Sequence, residues 1–180
     1  VPYGPYTIKA GICMRNGMLL SAMLNNSEVW YGVKESHYSE LEEVDEYLLR
    51  KILNAHSKTP KESLYLETGC IPIRYIIKQR RINYLRHLLT RDNDELIKKV
   101  YFAQKRKMAK NDWAETVKND LDQIELCPED GSIINMKKDK FKTLVKTKIR
   151  QAAYNYLTKI KESHSKVKHM KYPKYKIQQY

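Results

Sequence analysis

The chain has 180 residues, with 34 Lys and Arg against 21 Asp and Glu for a net charge of +13. This length fits one domain, or a small domain with an extension. Six Gly and six Pro are too few for a fold of many short strands. Cys13, Cys70 and Cys127 lie far apart without a CxxC pair, which argues against a disulfide framework or a zinc site. The most apolar window, residues 12–24, is too short and too polar to span a bilayer. No basic stretch leads into an apolar run at the start of the chain, so a reducing interior, nucleus and cytoplasm, is the expected setting.

Residues 1–9 contain Pro2, Gly4 and Pro5 and read as irregular, an abrupt start that fits a fragment of a longer protein. Residues 10–31 follow as one helix: Ile12, Leu19, Leu20 and Met23 recur at helical spacing, and Gly32 suits a C-terminal cap. The next helix is predicted to start near Ser36 or Ser39, with Ser39 and Glu42 as a capping box. Its apolar stripe is Tyr38, Leu41, Val44, Leu48 and Ile52. Glu42, Glu43, Asp45 and Glu46 lie in its first turns, where the helix dipole favours solvated acids. Thr59, Pro60 and Glu62 form a compact start for a short helix that Gly69 ends.

Pro72 opens a helix to about Thr90, with Ile73, Ile76, Ile77, Tyr84, Leu85 and Leu88 inward. Asp92, Asn93 and Asp94 introduce a helix over 94–108 that carries Leu96, Ile97, Val100 and Tyr101. Asn111 or Asp112 starts another with Trp113, Val117, Leu121 and Ile124. Residues 127–132, with Pro128 and Gly131, make the best internal boundary. A last long helix covers 137–163, with Phe141, Leu144, Val145, Ile149, Ala152, Tyr156 and Ile160 as its stripe. The tail beyond His164 alternates Lys with Tyr, Val and Met and is expected to order only when bound. The reading is all-α: an irregular bundle of about six to seven helices, divided as 1–34, 35–130 and a basic 131–180.

The charge is uneven. Residues 133–180 hold 14 Lys and Arg against Asp139 and Glu162, whereas residues 1–132 hold 20 basic and 19 acidic side chains. A local excess of this size points to a polyanion, most simply nucleic acid; the alternative is a solvated, soluble helix. Two cation sets stand out: Arg74, Lys78, Arg80 and Arg81; then Lys137, Lys138, Lys140, Lys142, Lys146, Lys148, Arg150, Lys159 and Lys161. Tyr154, Tyr156, Tyr172 and Tyr175 are interleaved with the second set or follow it. Lys and Arg neutralise phosphates and Tyr can stack on unpaired bases. The competing reading is internal ion pairing for Arg74 to Arg81 and core packing for Tyr156. His37, His56, His87, His164 and His169 share no metal-ligand spacing with Cys or carboxylates. Cys70 lies in no nucleophile signature, and no Walker-type or dinucleotide loop is present.

Several runs resemble the region downstream of the polymerase core in reverse transcriptases of non-LTR (LINE-type) retrotransposons. LLSAMLNNSEVWY at 19–31 is similar to a thumb helix of these enzymes, and LEEVDEYLLRKIL at 41–53 to the helix after it. SKTPKE at 57–62 and LETGCIPIR at 66–74 resemble the turn beyond. Arg80-Arg81 with YLRH at 84–87 resembles the cationic helix that follows, and Asp112-Trp113 and Tyr172-Pro173-Lys174 are similar to the ends of such chains. The resemblance implies a non-catalytic thumb and post-thumb region that grips RNA, DNA or an RNA–DNA hybrid. The palm and fingers of the same polyprotein would be its partners. Magnesium would belong to that polymerase core: the Tyr/Phe-x-Asp-Asp turn that holds it is absent, because the sequence has no Asp-Asp pair. The zinc knuckle of many relatives is also missing. The second reading is a helical protein-interaction module.

Overall fold

The computed structural model describes residues 5–107, 110–126 and 130–163, and within them all regular structure is helical. Helix α1 (Pro5–Met14) widens into a π turn (Arg15–Leu19) and continues as α2 (Leu20–Met23). A 3₁₀ turn (Ser27–Val29) leads to α3 (Glu35–Leu53), α4 (Lys61–Thr68) and α5 (Ile73–Leu89). Then come α6 (Leu96–Lys107), α7 (Trp113–Gln123), α8 (Asp130–Asn135) and α9 (Lys138–Ser163). The chain divides into two compact units. The first holds α1, α2, α3 from Ser36, α4 and the part of α9 from Ala153. The second holds the 3₁₀ turn, α5 from Arg74, α6, α7, α8 and α9 up to Ala152.

In the first unit Leu49, Ile52, Leu64, Tyr65 and Leu157 form the buried centre. Ile8, Leu48, Cys70 and Tyr156 pack around it. Helix α1 approaches α3 at Gly11, where a Cβ would lie 2.7 Å from Ile52 Cγ1. The apolar cluster adjoins a buried charge pair. The π turn adds a residue to one helical turn, and Arg15 at its start faces inward while Met14 and Met18 face solvent. Its Nε and Nη2 donate to Asp45 Oδ1 and Oδ2 at 2.5 and 2.6 Å. Nη2 also donates to the Ile71 carbonyl at 3.0 Å, and the Tyr65 hydroxyl donates to Asp45 Oδ2 at 3.1 Å. Arg15 and Asp45 are 2 % and 0 % exposed, a depth at which an unpaired charge is not tolerated. Burial works to lower the Arg15 pKa, but the surrounding groups, the hydrogen bond to Asp45 first among them, together outweigh it and the net shift is upward. Burial, with Asp45 beside it, pushes the Tyr65 phenol well above its ordinary value, so it remains a donor.

Several local expectations change for physical reasons. The first helix begins at Pro5, a residue suited to a first helical position, and stops by Met23 because Asn26 turns left-handed at φ 54°. Helix α3 starts at Glu35, ahead of the Ser39–Glu42 box. Its inward face is Glu42, Asp45, Glu46, Leu49 and Ile52, and Val44 is exposed. Glu43 is in solvent as expected, but Glu42, Asp45 and Glu46 are in the interior, where hydropathy alone would not place them. Thr59 does not cap α4: Pro60 holds that position, and the Thr59 carbonyl instead accepts from Arg50 Nη2 at 3.2 Å. Gly69 does end α4, at φ 66°.

In the second unit α5 buries Tyr75, Ile77, Ile82, Leu85, Leu88 and Leu89. Helix α7 contributes Trp113 and Val117, and α9 contributes Phe141, Val145 and Ile149. Trp113 meets Tyr84 and Tyr101 edge-on, with ring centres 5.7 and 5.9 Å apart. Its indole N–H donates to the Glu28 carbonyl at 2.8 Å. Of the two expected starts, Asp112 is the cap of α7: its Oδ1 accepts from the Glu115 N–H at 2.8 Å. Of the four apolar residues expected on α6, only Tyr101 turns inward. Leu96, Ile97 and Val100 are exposed, while Tyr101 is buried with Lys98, whose ammonium donates to the Arg91 carbonyl at 2.7 Å. Residues 127–129 of the expected boundary lie outside the described residues.

Two expectations test this core. Arg15→Ala leaves Asp45 buried without its cation and should cost about 3–5 kcal/mol in urea unfolding; a loss below about 1 kcal/mol, the worth of a surface pair, would show the pair to be incidental. Glu46 supplies a pH test. Burial raises its pKa above the ordinary 4.5, against the pull of Lys61 and Arg50 and with a push from Glu42. The folded state therefore keeps this proton to higher pH than the unfolded chain. Its stabilising effect is full below the ordinary value and is lost as pH climbs through the raised one. Glu46→Gln should abolish that fall, so its stability relative to the parent should rise as pH climbs above the ordinary value of 4.5; parallel pH profiles for the two proteins would rule this out.

Candidate nucleic-acid interface

The two cation sets of the sequence have different fates. On α5 the cations are held internally. Arg81 is 1 % exposed; its Nε and Nη2 donate to Asp120 Oδ2 and Oδ1 at 2.6 and 3.1 Å, and Nη1 donates to the Trp30 carbonyl at 3.2 Å. Arg74 Nη2 lies 2.8 Å from Glu35 Oε1. Arg80 Nη1 donates to Ser27 Oγ at 3.3 Å. The Lys78 ammonium donates to the Gln123 side chain and sits 5.0 Å from the centre of the Tyr75 ring. Burial pushes the Lys78 pKa down against the pull of Asp120, with Arg81 and Arg74 adding to the fall. Arg81 is thus a core residue with no face for a phosphate. The helical spacing that aligns Arg74, Lys78 and Arg81 aligns them with partners inside the same unit.

Helix α9 behaves differently. Its buried residues Phe141, Val145 and Ile149 recur at four-residue steps on one side. Lys137, just ahead of it, and Lys138, Lys140, Lys142 and Lys146 on it are exposed, and Lys148 and Arg150 are half-buried. Seven of the fourteen residues from 137 to 150 are Lys or Arg, and Asp139 is the one acid among them. Lys138, Lys142, Lys146 and Arg150 follow at four-residue steps, a stripe that winds slowly around the helix because 3.6 residues make a turn. In the first unit Lys159 is exposed and Lys161 half-buried; Tyr154 is exposed, and Tyr156 packs beside the core. Tyr172 and Tyr175 lie outside the described residues.

Within the second unit α5 and α9 border an open cleft of about 160 Å³. Asn83, Arg86 and His87 line it from α5 and Thr90 from just past its end, with Lys138, Phe141 and Lys142 from α9. Among the described residues no carboxylate lines it. Arg86 Nη2 donates to the Met136 carbonyl at 2.7 Å, just ahead of α9. Among the described residues, the buried Arg86 Nε and Asn83 Oδ1 have no hydrogen-bond partner. Arg91 Nη2 lies 3.0 Å from His87 Nε2. Sequence reasoning from cation density passed over Arg86 and His87. The available signal was spacing: Asn83, Arg86 and His87 fall at three- and four-residue steps on one face of α5, and Thr90 continues the spacing just past its end.

Among the described residues, no group of three His, Cys, Asp or Glu is placed to hold a metal ion. Burial pushes the Cys70 thiol up, against the pull of Arg15, which disfavours the thiolate a nucleophile needs. Among the described residues no helix is long and apolar enough to cross a membrane. No family model, no curated protein and no solved structure matches this chain.

Arg81→Ala separates the two cation sets. It should cost about 3–5 kcal/mol of stability by leaving Asp120 buried and unpaired. At temperatures where the variant is folded, it should leave the salt dependence of any nucleic-acid binding unchanged, since Arg81 faces no solvent. A shallower salt slope would put Arg81 back at the interface.

Proposed function

We propose that this chain is a non-catalytic, nucleic-acid-binding part of a LINE-type retrotransposon reverse transcriptase, gripping template–primer duplex or target DNA through Lys and Arg. One observation carries the binding reading: α9 packs its apolar side into the second unit and leaves Lys138, Lys140, Lys142 and Lys146 in solvent. A helix so placed presents a dense positive row on a rigid support, which is what phosphate neutralisation requires. The family part of the reading rests on the sequence resemblance at 19–31, 41–53, 57–62, 66–74 and 80–87. In it the palm and fingers are the protein partners, and the polymerase chemistry with its magnesium lies in them. RNA, DNA or an RNA–DNA hybrid is the ligand.

A second reading has its own observation. Leu96, Ile97, Val100 and Phe102 expose apolar surface on α6, which fits a helical protein-interaction module. Salt separates the two. Binding of the purified chain to a labelled RNA–DNA hybrid should weaken by at least about tenfold between roughly 50 and 200 mM salt if several phosphates are neutralised. Absence of binding at the low-salt end would sink the nucleic-acid reading and leave the α6 surface as the place to look.

A further inference from the structure

We propose that the cleft between α5 and α9 of the second unit is a seat for a single phosphate group. Four features converge there. Arg86, Lys138 and Lys142 supply positive charge from two different helices, and among the described residues no carboxylate lines the cleft to neutralise them. The guanidinium of Arg86 is pinned by the Met136 carbonyl at 2.7 Å, so its remaining donors are oriented before any ligand arrives. Arg86 Nε–H, a donor, is buried without a partner among the described residues. Such an orphan costs free energy and is found where a site awaits an acceptor, from a ligand or a water. Lys138 is also the first residue of α9, a helix long enough to place partial positive charge at its free first-turn N–H groups.

Size narrows the ligand. At about 160 Å³ the cleft is well below the roughly 300–1,000 Å³ of pockets that engulf whole small molecules. It fits a phosphate group with a few waters and leaves a base and sugar outside. Charge on both banks of an open cleft suits a phosphate on a strand that passes through. The stripe Lys142, Lys146 and Arg150 continues along α9 from the cleft and would meet the neighbouring phosphates. That the phosphate belongs to a strand rests on the nucleic-acid reading proposed above; the seat itself does not.

The test uses the full chain, a Lys138→Ala/Lys142→Ala variant, and a charge-matched Lys110→Ala/Lys118→Ala control, each checked for parental helix content by circular dichroism. Inorganic phosphate is titrated while the Arg86 Nε–H and His87 imidazole resonances are followed by NMR. Labelled single-stranded RNA is titrated across a salt series. The seat predicts saturable shifts of both resonances in the parent and the control and their loss in the cleft variant. It also predicts a salt slope shallower by about 0.7 for each strand phosphate lost. Phosphate that moves neither resonance, or moves them equally in the cleft variant, overturns the seat. If RNA then still binds steeply, the nucleic-acid reading survives without it. If phosphate binds at the cleft but the RNA slope is unchanged, the seat takes free phosphate and not a strand. If phosphate binds and RNA does not, the seat stands and the nucleic-acid reading falls.

Discussion

The bidentate pair between Arg15 and Asp45 is the interaction on which the first unit depends. It joins the π turn to the middle of α3, and through Tyr65 and the Ile71 carbonyl it reaches α4 and the approach to α5. Two charges at this depth contribute little net stability, since desolvation cancels much of their attraction. They do demand geometry, because a misplaced partner leaves a bare charge in the interior. The second unit repeats the device with Arg81 and Asp120, which join α5 to α7 and hold the Trp30 carbonyl as well. Each unit thus combines an apolar cluster, which supplies the drive to collapse, with a buried pair that admits few alternative packings.

This arrangement sorts the positive charge. Cations on α5 lie at positions that packing turns toward other elements of the unit, so they acquire partners: Asp120, Glu35, Gln123 and Ser27. Cations on α9 share a helix whose inward positions are already filled by Phe141, Val145 and Ile149, and Lys138, Lys140, Lys142 and Lys146 are left in water. Residue type therefore says little about availability to a ligand. Lys98, buried against the Arg91 carbonyl, makes the same point on α6. The cleft combines both situations: Arg86 is anchored like a structural residue and yet borders open space with the α9 lysines.

The residues themselves determined the all-α character, since sparse Gly and Pro and sustained helical spacing leave little else. They also placed the start of α7 at Asn111 or Asp112, the stop at Gly69, the start of α5 just after Pro72 and the near-complete extent of α9. Each of these is local, set by a side chain within four residues of the backbone group it serves. Tertiary structure alone decided which face of α3 and α6 turned inward. On α3 Asp45 has buried partners twenty and thirty residues away, Tyr65 and Arg15, and its side of the helix turned inward while Val44 stayed in solvent; on α6, contact with Trp113 selected Tyr101 over Leu96 and Val100. The sequence showed that positive charge concentrates toward its end. Which cations are free for an anion, and that Arg86 and His87 join Lys138 and Lys142 at one cleft, followed only from the packing of α5 beside α9, because contacts between residues some fifty apart leave no mark in local periodicity.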